Sequence, residues 1–193
     1  MPIYNAPLAD MKFILNDVFN ADQFWQSNEN LAHVDSATAE AILEEMAKFA
    51  QNVTLPLNRT GDEEGATFSN GAVTTPAGFK EAFKQYAEGG WIGLAADEEW
   101  GGQGMPKMLT VLADEMLFAT NPSFMLYPLL SVGAGMALNS YASQEQKETY
   151  LPKIYSGEWS GTMCLTEPHA GTDLGIIKTK AERNEDGTYN ITG

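Results

Sequence analysis

Cysteine is nearly absent. Cys164 stands alone, so no disulfide can close within the chain. Histidine is equally scarce: His33 and His169 beside a single thiol are too few for the usual zinc or iron–sulfur ligand sets. No metal site is expected, and any cofactor should be organic. Cations are few as well. Eleven Lys and Arg face 26 Asp and Glu, a formal charge of −15 with no basic run to interrupt it. Nucleic acid is therefore a poor partner, because its binding depends on clustered cations that neutralise phosphates, and anionic membrane surfaces are unattractive for the same reason. Long apolar runs are missing too. Residues 127–138 are broken by Pro128, Ser131, Gly133 and Gly135 and fall short of the roughly 20 residues a membrane span requires. Met1-Pro2-Ile3-Tyr4-Asn5 has neither a basic n-region nor an apolar h-region, so no secretory signal is expected and a soluble cytoplasmic protein is the default.

What remains is a globular composition. With 44% hydrophobic and 19% charged residues the chain can bury a core, and its 193 residues suffice for one domain, or one and part of another. From Asp35 or Ser36 as cap, Ala39, Ile42, Leu43, Met46, Phe49, Ala50 and Val53 recur at helical spacing. Pro56 is expected to end this helix by pushing Leu55 out of helical geometry. A polar linker over 58–71 should follow, turning at Gly61, Gly65 and Gly71. Thr75-Pro76 reads as cap and first position of a helix carrying Phe79, Phe83, Tyr86 and Ala87, stopped by Gly89-Gly90. Pro106 opens a further helix through Leu109, Leu112, Ala113, Met116 and Leu117, closed by Asn121-Pro122. The next, through Leu126, Leu129, Leu130, Met136, Leu138 and Tyr141, is apolar or small on nearly every face and is expected at the centre of a bundle. Ser143 and Gln146 make a capping-box pattern for a last helix ending near Pro152.

After Gly157 the period changes. Residues 159–166 read as a strand and 177–183 alternate in the strand period; Asp186-Gly187 forms a turn, and 188–192 return as the second arm of a hairpin. A few strands with an unpaired edge do not make an independent sheet, so the chain reads as a piece cut inside a β-domain. The fold expected is mainly α: an amino-terminal extension over 1–34, a helical bundle over 35–157, and the first strands of an incomplete β-domain over 158–193.

The most informative stretch joins the expected strand to a turn of small and polar residues: Met163-Cys164-Leu165-Thr166-Glu167-Pro168-His169-Ala170-Gly171-Thr172-Asp173-Leu174-Gly175. Small side chains at Ala170, Gly171 and Thr172 would let a backbone approach a flavin or a phosphate. The order Thr166-Glu167-Pro168-His169-Ala170-Gly171-Thr172-Asp173 resembles the flavin-binding signature of the acyl-CoA dehydrogenases. Two upstream segments resemble the same family in the same order: Asp97 to Pro106, like its helix-entry loop, and Tyr150 to Trp159, like its link from helical domain to β-domain. The start, Tyr4 to Met11 with Phe13, Ile14 and Leu15, is similar to the extension of a large subgroup that includes methylmercaptopropionyl-CoA dehydrogenases.

The resemblance implies FAD and oxidation of an acyl-CoA to its 2,3-enoyl-CoA, with electrons leaving through an electron-transfer flavoprotein, and a homodimer or homotetramer at full length. Carried over position by position, Met163, Leu165 and Thr166 would lie beside the isoalloxazine, Gly171 and Thr172 would meet the pyrophosphate, and Thr172 would also reach the CoA portion of the substrate. Gly171 is further expected to be able to take a positive φ. Glu167 and Asp173 are read as acceptors that fix the loop, since the family's base comes from a carboxy-terminal segment outside this chain; no catalytic residue is expected within it. His169, where the family more often has a small residue, is read as a tolerated turn residue, and Cys164 as a small buried one. Met125, Leu126, Tyr127, Leu129 and Leu130 are candidates for an acyl-chain cavity, with plain core as the alternative. Gly101-Gly102-Gln103-Gly104 lacks the surroundings of a dinucleotide fingerprint and reads as a helix-entry loop. An acyl-CoA oxidase, or a non-catalytic flavoprotein or binding module on the same fold, is the competing reading.

Overall fold

Proline and glycine set the joints of this chain, and several do so differently from what their local chemistry suggests. The computed structural model describes residues 3–193, so Met1 and Pro2, the first residues of the segment read for a signal, lie outside the described residues. The chain separates into two compact units, one ending at Thr162 and the other spanning Met163–Gly193. The first is mostly helical with one small hairpin and the second carries another hairpin, in keeping with the mainly α class expected.

The first unit opens with α1 (Leu8–Phe13), a wide π-turn (Ile14–Val18) and α2 (Ala21–Gln26). Met11, Leu15, Ala21 and Trp25 are buried here, and Lys12 pairs with Glu40 and Glu44 at 2.9 Å each. These carboxylates belong to α3 (Ser36–Phe49), capped by Asp35, whose carboxylate accepts from the Thr38 amide at 2.7 Å. The cap is the expected one, and of the expected stripe Ala39, Leu43, Met46 and Ala50 are buried while Ile42, Phe49 and Val53 are half-buried.

Pro56 does not end the helix. A π-turn over Ala50–Thr54 widens the ladder just before it, Leu55 stays helical (φ −57°, ψ −47°), and α4 (Leu55–Glu64) continues. The wider i→i+5 turn accommodates a residue that has no amide hydrogen and would clash with a carbonyl one α-turn back. The linker expected over 58–71 is therefore half helix. Gly61 lies inside α4, where an added Cβ would come within 2.5 Å of the Phe79 ring, so its role is close packing and not a turn. The rest is a small hairpin, β1 (Thr67–Ser69) with β2 (Ala72–Thr74), reversed at Asn70 and Gly71, both left-handed (φ 52° and 79°) as a two-residue hairpin turn demands.

α5 (Phe79–Glu88) starts three residues later than Thr75-Pro76 predicts, entered through left-handed Gly78, and stops at Gly89-Gly90 as expected. The segment from Asp97 feeds α6 (Lys107–Thr120), which buries all five residues the pattern nominated. α8 (Gln144–Tyr155) carries the full capping box of Ser143 and Gln146 but runs through Pro152 to Tyr155 instead of stopping there.

α7 (Pro122–Tyr141) corrects the largest expectation. It does not sit at the centre of the bundle: Leu126, Tyr127, Leu130, Met136 and Tyr141 are exposed, while the buried face is Phe124, Met125, Pro128, Ser131 and Gly135. Packing distance decides this. A Cβ at Gly135 would lie 2.6 Å from the Tyr155 ring of α8, so the small-residue side of α7 is the side that can approach its neighbour, and the bulky side is left outside.

In the second unit, β3 (Lys180–Arg183) pairs antiparallel with β4 (Tyr189–Thr192), giving the expected hairpin, though it begins at Lys180 and not at Ile177. Residues 159–166 are not a strand; they have no β partner among the described residues.

Candidate functional site

All five residues nominated for the cofactor lie in the second unit, on or beside one closed turn. Glu167 and Ala170 exchange both backbone bonds (2.9 and 3.0 Å), which folds Pro168 and His169 into the tip of a four-residue reversal. Gly171 and Thr172 come next. Asp173 then caps a short 3₁₀ turn, Leu174–Ile176, by accepting from the Gly175 amide at 2.9 Å. The chain returns past the start of the loop, where the Glu167 carboxylate accepts from the amides of Lys178 (3.0 Å) and Thr179 (2.9 Å) and from the Thr179 hydroxyl.

These bonds decide what Glu167 can do. Its side chain is only 12% exposed, and the Thr179 hydroxyl, followed by the Lys178 and Thr179 amides, holds its carboxyl below the ordinary range. A carboxylate so occupied is a weak proton acceptor, because protonation would forfeit several donors at once. Its expected role as a loop-fixing acceptor agrees with this geometry, and so does that of Asp173. The backbone of Lys178 and Thr179 is the part sequence reasoning missed. The only signal was the strand-like alternation of 177–183, which pointed to pairing with another strand instead.

Met163, Leu165, Thr166, Gly171 and Thr172 are all exposed, with Met163 at 68% and Leu165 at 43%; Ala170 is buried. Two expectations fail here. Cys164 is exposed and not a small buried residue: the strand whose alternation was to bury it does not form. Gly171 does not adopt positive φ, so left-handed geometry is not why glycine stands there. The loop's own packing does not demand glycine either, since an added Cβ would meet nothing within 4 Å; the position is open to an approaching group. Two thioether and aliphatic side chains, two hydroxyls and an open glycine fit the needs of a flavin edge followed by a pyrophosphate: apolar surface, a few short donors and room for close approach.

The first unit contains a cavity of about 480 Å³, walled by Trp91, Met105, Met108, Val132, Met136 and Tyr155 among others. None of Met125, Leu126, Tyr127, Leu129 and Leu130 lines it. Met125 is core, whereas Leu126, Tyr127 and Leu130 face outward on α7. No helix among the described residues is long and apolar enough to cross a membrane.

A family model described as "Acyl-CoA dehydrogenase, N-terminal domain" matches residues 36–158, more than half of the chain. The chain belongs to the acyl-CoA dehydrogenase family. Across 98% of its length it is 40% identical to 3-methylmercaptopropionyl-CoA dehydrogenase of Ruegeria pomeroyi. Its fold is similar to that of butyryl-CoA dehydrogenase from Megasphaera elsdenii (TM-score 0.68, 25% identity, covering 80% of this chain and 39% of that one). It is similar too to an acyl-CoA dehydrogenase from Bacillus anthracis solved with FAD (TM-score 0.67, 26% identity, covering 84% and 27%). The chain spans only 32% of the length of the Ruegeria enzyme, about a third of an acyl-CoA dehydrogenase of that size.

Proposed function

We propose that this chain is the amino-terminal part of an enzyme that oxidises an acyl-CoA thioester to its 2,3-enoyl-CoA with FAD. Residues 1–34 would form an extension, 35–157 the helical amino-terminal domain and 158–193 the beginning of the middle β-domain. The FAD, when bound, supplies the hydride acceptor for the thioester's β-carbon. This chain's residues bind and orient: Met163, Leu165 and Thr166 at the isoalloxazine edge, Gly171 and Thr172 at the pyrophosphate, Thr172 also toward the CoA. The carboxylate that removes the α-proton lies outside the chain, in keeping with Glu167 and Asp173 both being tied back onto loop amides. Electron-transfer flavoprotein is the acceptor, the assembly is a homodimer or homotetramer, and the compartment is the cytoplasm.

The observation that carries this reading is the closed turn of Glu167 to Thr179, which leaves the nominated cofactor contacts exposed and turns the Glu167 carboxylate inward. The family to which the chain belongs supplies the chemistry. The test is the absorbance of the full-length protein: it should purify yellow, or take up FAD on reconstitution, and lose that colour on anaerobic addition of an acyl-CoA. A colourless protein that cannot be reconstituted would refute the proposal. Rapid oxygen consumption with acyl-CoA would replace dehydrogenase by oxidase.

A further inference from the structure

His169 occupies the tip of the turn, and its surroundings give it more to do than fill a reversal. Its Nε2 lies 3.1 Å from the Ile176 carbonyl oxygen and 3.2 Å from Oε2 of Glu167. A carbonyl can only accept, so Nε2 carries the hydrogen and donates it to Ile176, with Glu167 Oε2 within ion-pair distance of the same nitrogen. Glu167 in turn holds the amides of Lys178 and Thr179 and the Thr179 hydroxyl. The imidazole and the carboxylate therefore bridge the outgoing arm of the loop, at 167–169, to its returning arm, at 176–179. Gly171 and Thr172 lie between these arms.

We propose that Glu167 and His169 act together as a clasp, two positioning residues that close the Glu167–Thr179 loop and so present Gly171 and Thr172 to the pyrophosphate of the flavin cofactor. The inference rests on the cofactor reading given above. Electrostatics supplies the reason for the clasp. The second unit carries five carboxylates against three Lys and Arg, and an anionic ligand is repelled by any free carboxylate nearby. Turning Glu167 onto two amides and a hydroxyl, with the imidazole beside it, directs its charge into the loop, while one oxygen of the exposed Asp173 accepts from the Gly175 amide. The imidazole lies beside Oε2, the same oxygen that accepts from the Lys178 amide. Among the described residues, Glu167 is the only charged group within ion-pair distance of His169.

The test combines a double-mutant cycle on FAD affinity with amide hydrogen exchange, both on the full-length protein. His169→Ala and Glu167→Gln should each weaken FAD binding by about tenfold, the scale of one hydrogen bond to a charged group. His169→Gln, which keeps an N–H for the Ile176 carbonyl, should recover part of the loss. The double variant should bind FAD no worse than Glu167→Gln alone, because the two residues act as one unit. In the cofactor-free protein both single variants should speed exchange of the Lys178 and Thr179 amides. Losses that multiply in the double variant, or exchange rates left unchanged, would overturn the clasp. Faster exchange with undiminished FAD affinity would also overturn it as a cofactor-positioning device, and would locate the fault in the contacts assigned to Gly171 and Thr172.

Discussion

Asn121 offers the sharpest test of how the helical unit is held together. It is fully buried at the junction of α6 and α7, where Oδ1 accepts from the Phe124 amide at 3.0 Å and Nδ2 donates to the Thr54 carbonyl oxygen at 3.1 Å. One side chain thus caps α7 and ties it to the π-turn that lets α3 and α4 pass through Pro56. Beside it the Thr54 and Thr120 hydroxyls meet at 2.7 Å, both fully buried. Asn121→Ala removes a helix cap, costing about 1 kcal/mol. It also strips a partner from a buried carbonyl, for about another 1–2 kcal/mol. The sum of about 2–3 kcal/mol corresponds to a fall in Tm of about 5–10 °C for a chain of this size. Asn121→Asp keeps the cap but loses the donor and places a carboxylate against the Thr54 carbonyl, so it should be no better than alanine. The assay is thermal unfolding followed by circular dichroism, with Asn28→Ala as a control, since the Asn28 side chain holds only the exposed Asn30 amide. A loss for Asn121→Ala no larger than that of the control would refute the reasoning.

Burial raises the Asp114 carboxyl from 3.8 to about 6. The folded state therefore binds this proton more tightly than the unfolded state, and the contribution is fully present below about pH 4 and lost as pH rises through 6. Asp114→Asn should stabilise the protein by about 1 kcal/mol at pH 7.5, after allowing for the part of the side chain that water still reaches, and by nothing near pH 4; an equal gain at both pH values in urea titrations would contradict this. Gly135→Ala should destabilise, because its Cβ would meet the Tyr155 ring at 2.6 Å, and pairing it with Tyr155→Phe should give little relief since the clash is with the ring; full rescue by phenylalanine would show that the hydroxyl alone was at fault. Gly171→Val should leave helical circular dichroism near wild type, because the α-helices belong to the other unit and an added Cβ meets nothing within 4 Å beyond its chain neighbours, yet abolish FAD binding in the full-length protein. Wild-type FAD affinity in that variant would withdraw the pyrophosphate contact.

Where side-chain pattern alone decides structure, the sequence was readable. The Asp35 cap, the Ser143–Gln146 capping box, the buried stripe of α6 and the Asp186-Gly187 hairpin all follow from local chemistry. It misled where a neighbour overrides local preference. Pro56 and Pro152 lie inside helices, one behind a widened turn. The orientation of α7 follows from how closely Gly135 lets Tyr155 approach, and hydropathy, nearly uniform around that helix, carries no trace of it. At the candidate site the turn and its exposed residues were legible as a motif. The inward fold of Glu167 onto 178–179 was foreseen as a role but not as a set of partners, because eleven or twelve residues separate donor from acceptor. The bond of His169 to Ile176 and its approach to Glu167 left no periodic signal at all.

Single-turnover reduction of FAD in the full-length Glu167→Gln variant tests the central claim most directly: this chain binds and orients the cofactor, and the base lies elsewhere. With FAD in excess to offset weaker binding, anaerobic acyl-CoA should bleach the flavin-loaded fraction at close to the wild-type rate. A loss of several orders of magnitude with FAD still bound would make Glu167 the base and contradict the account.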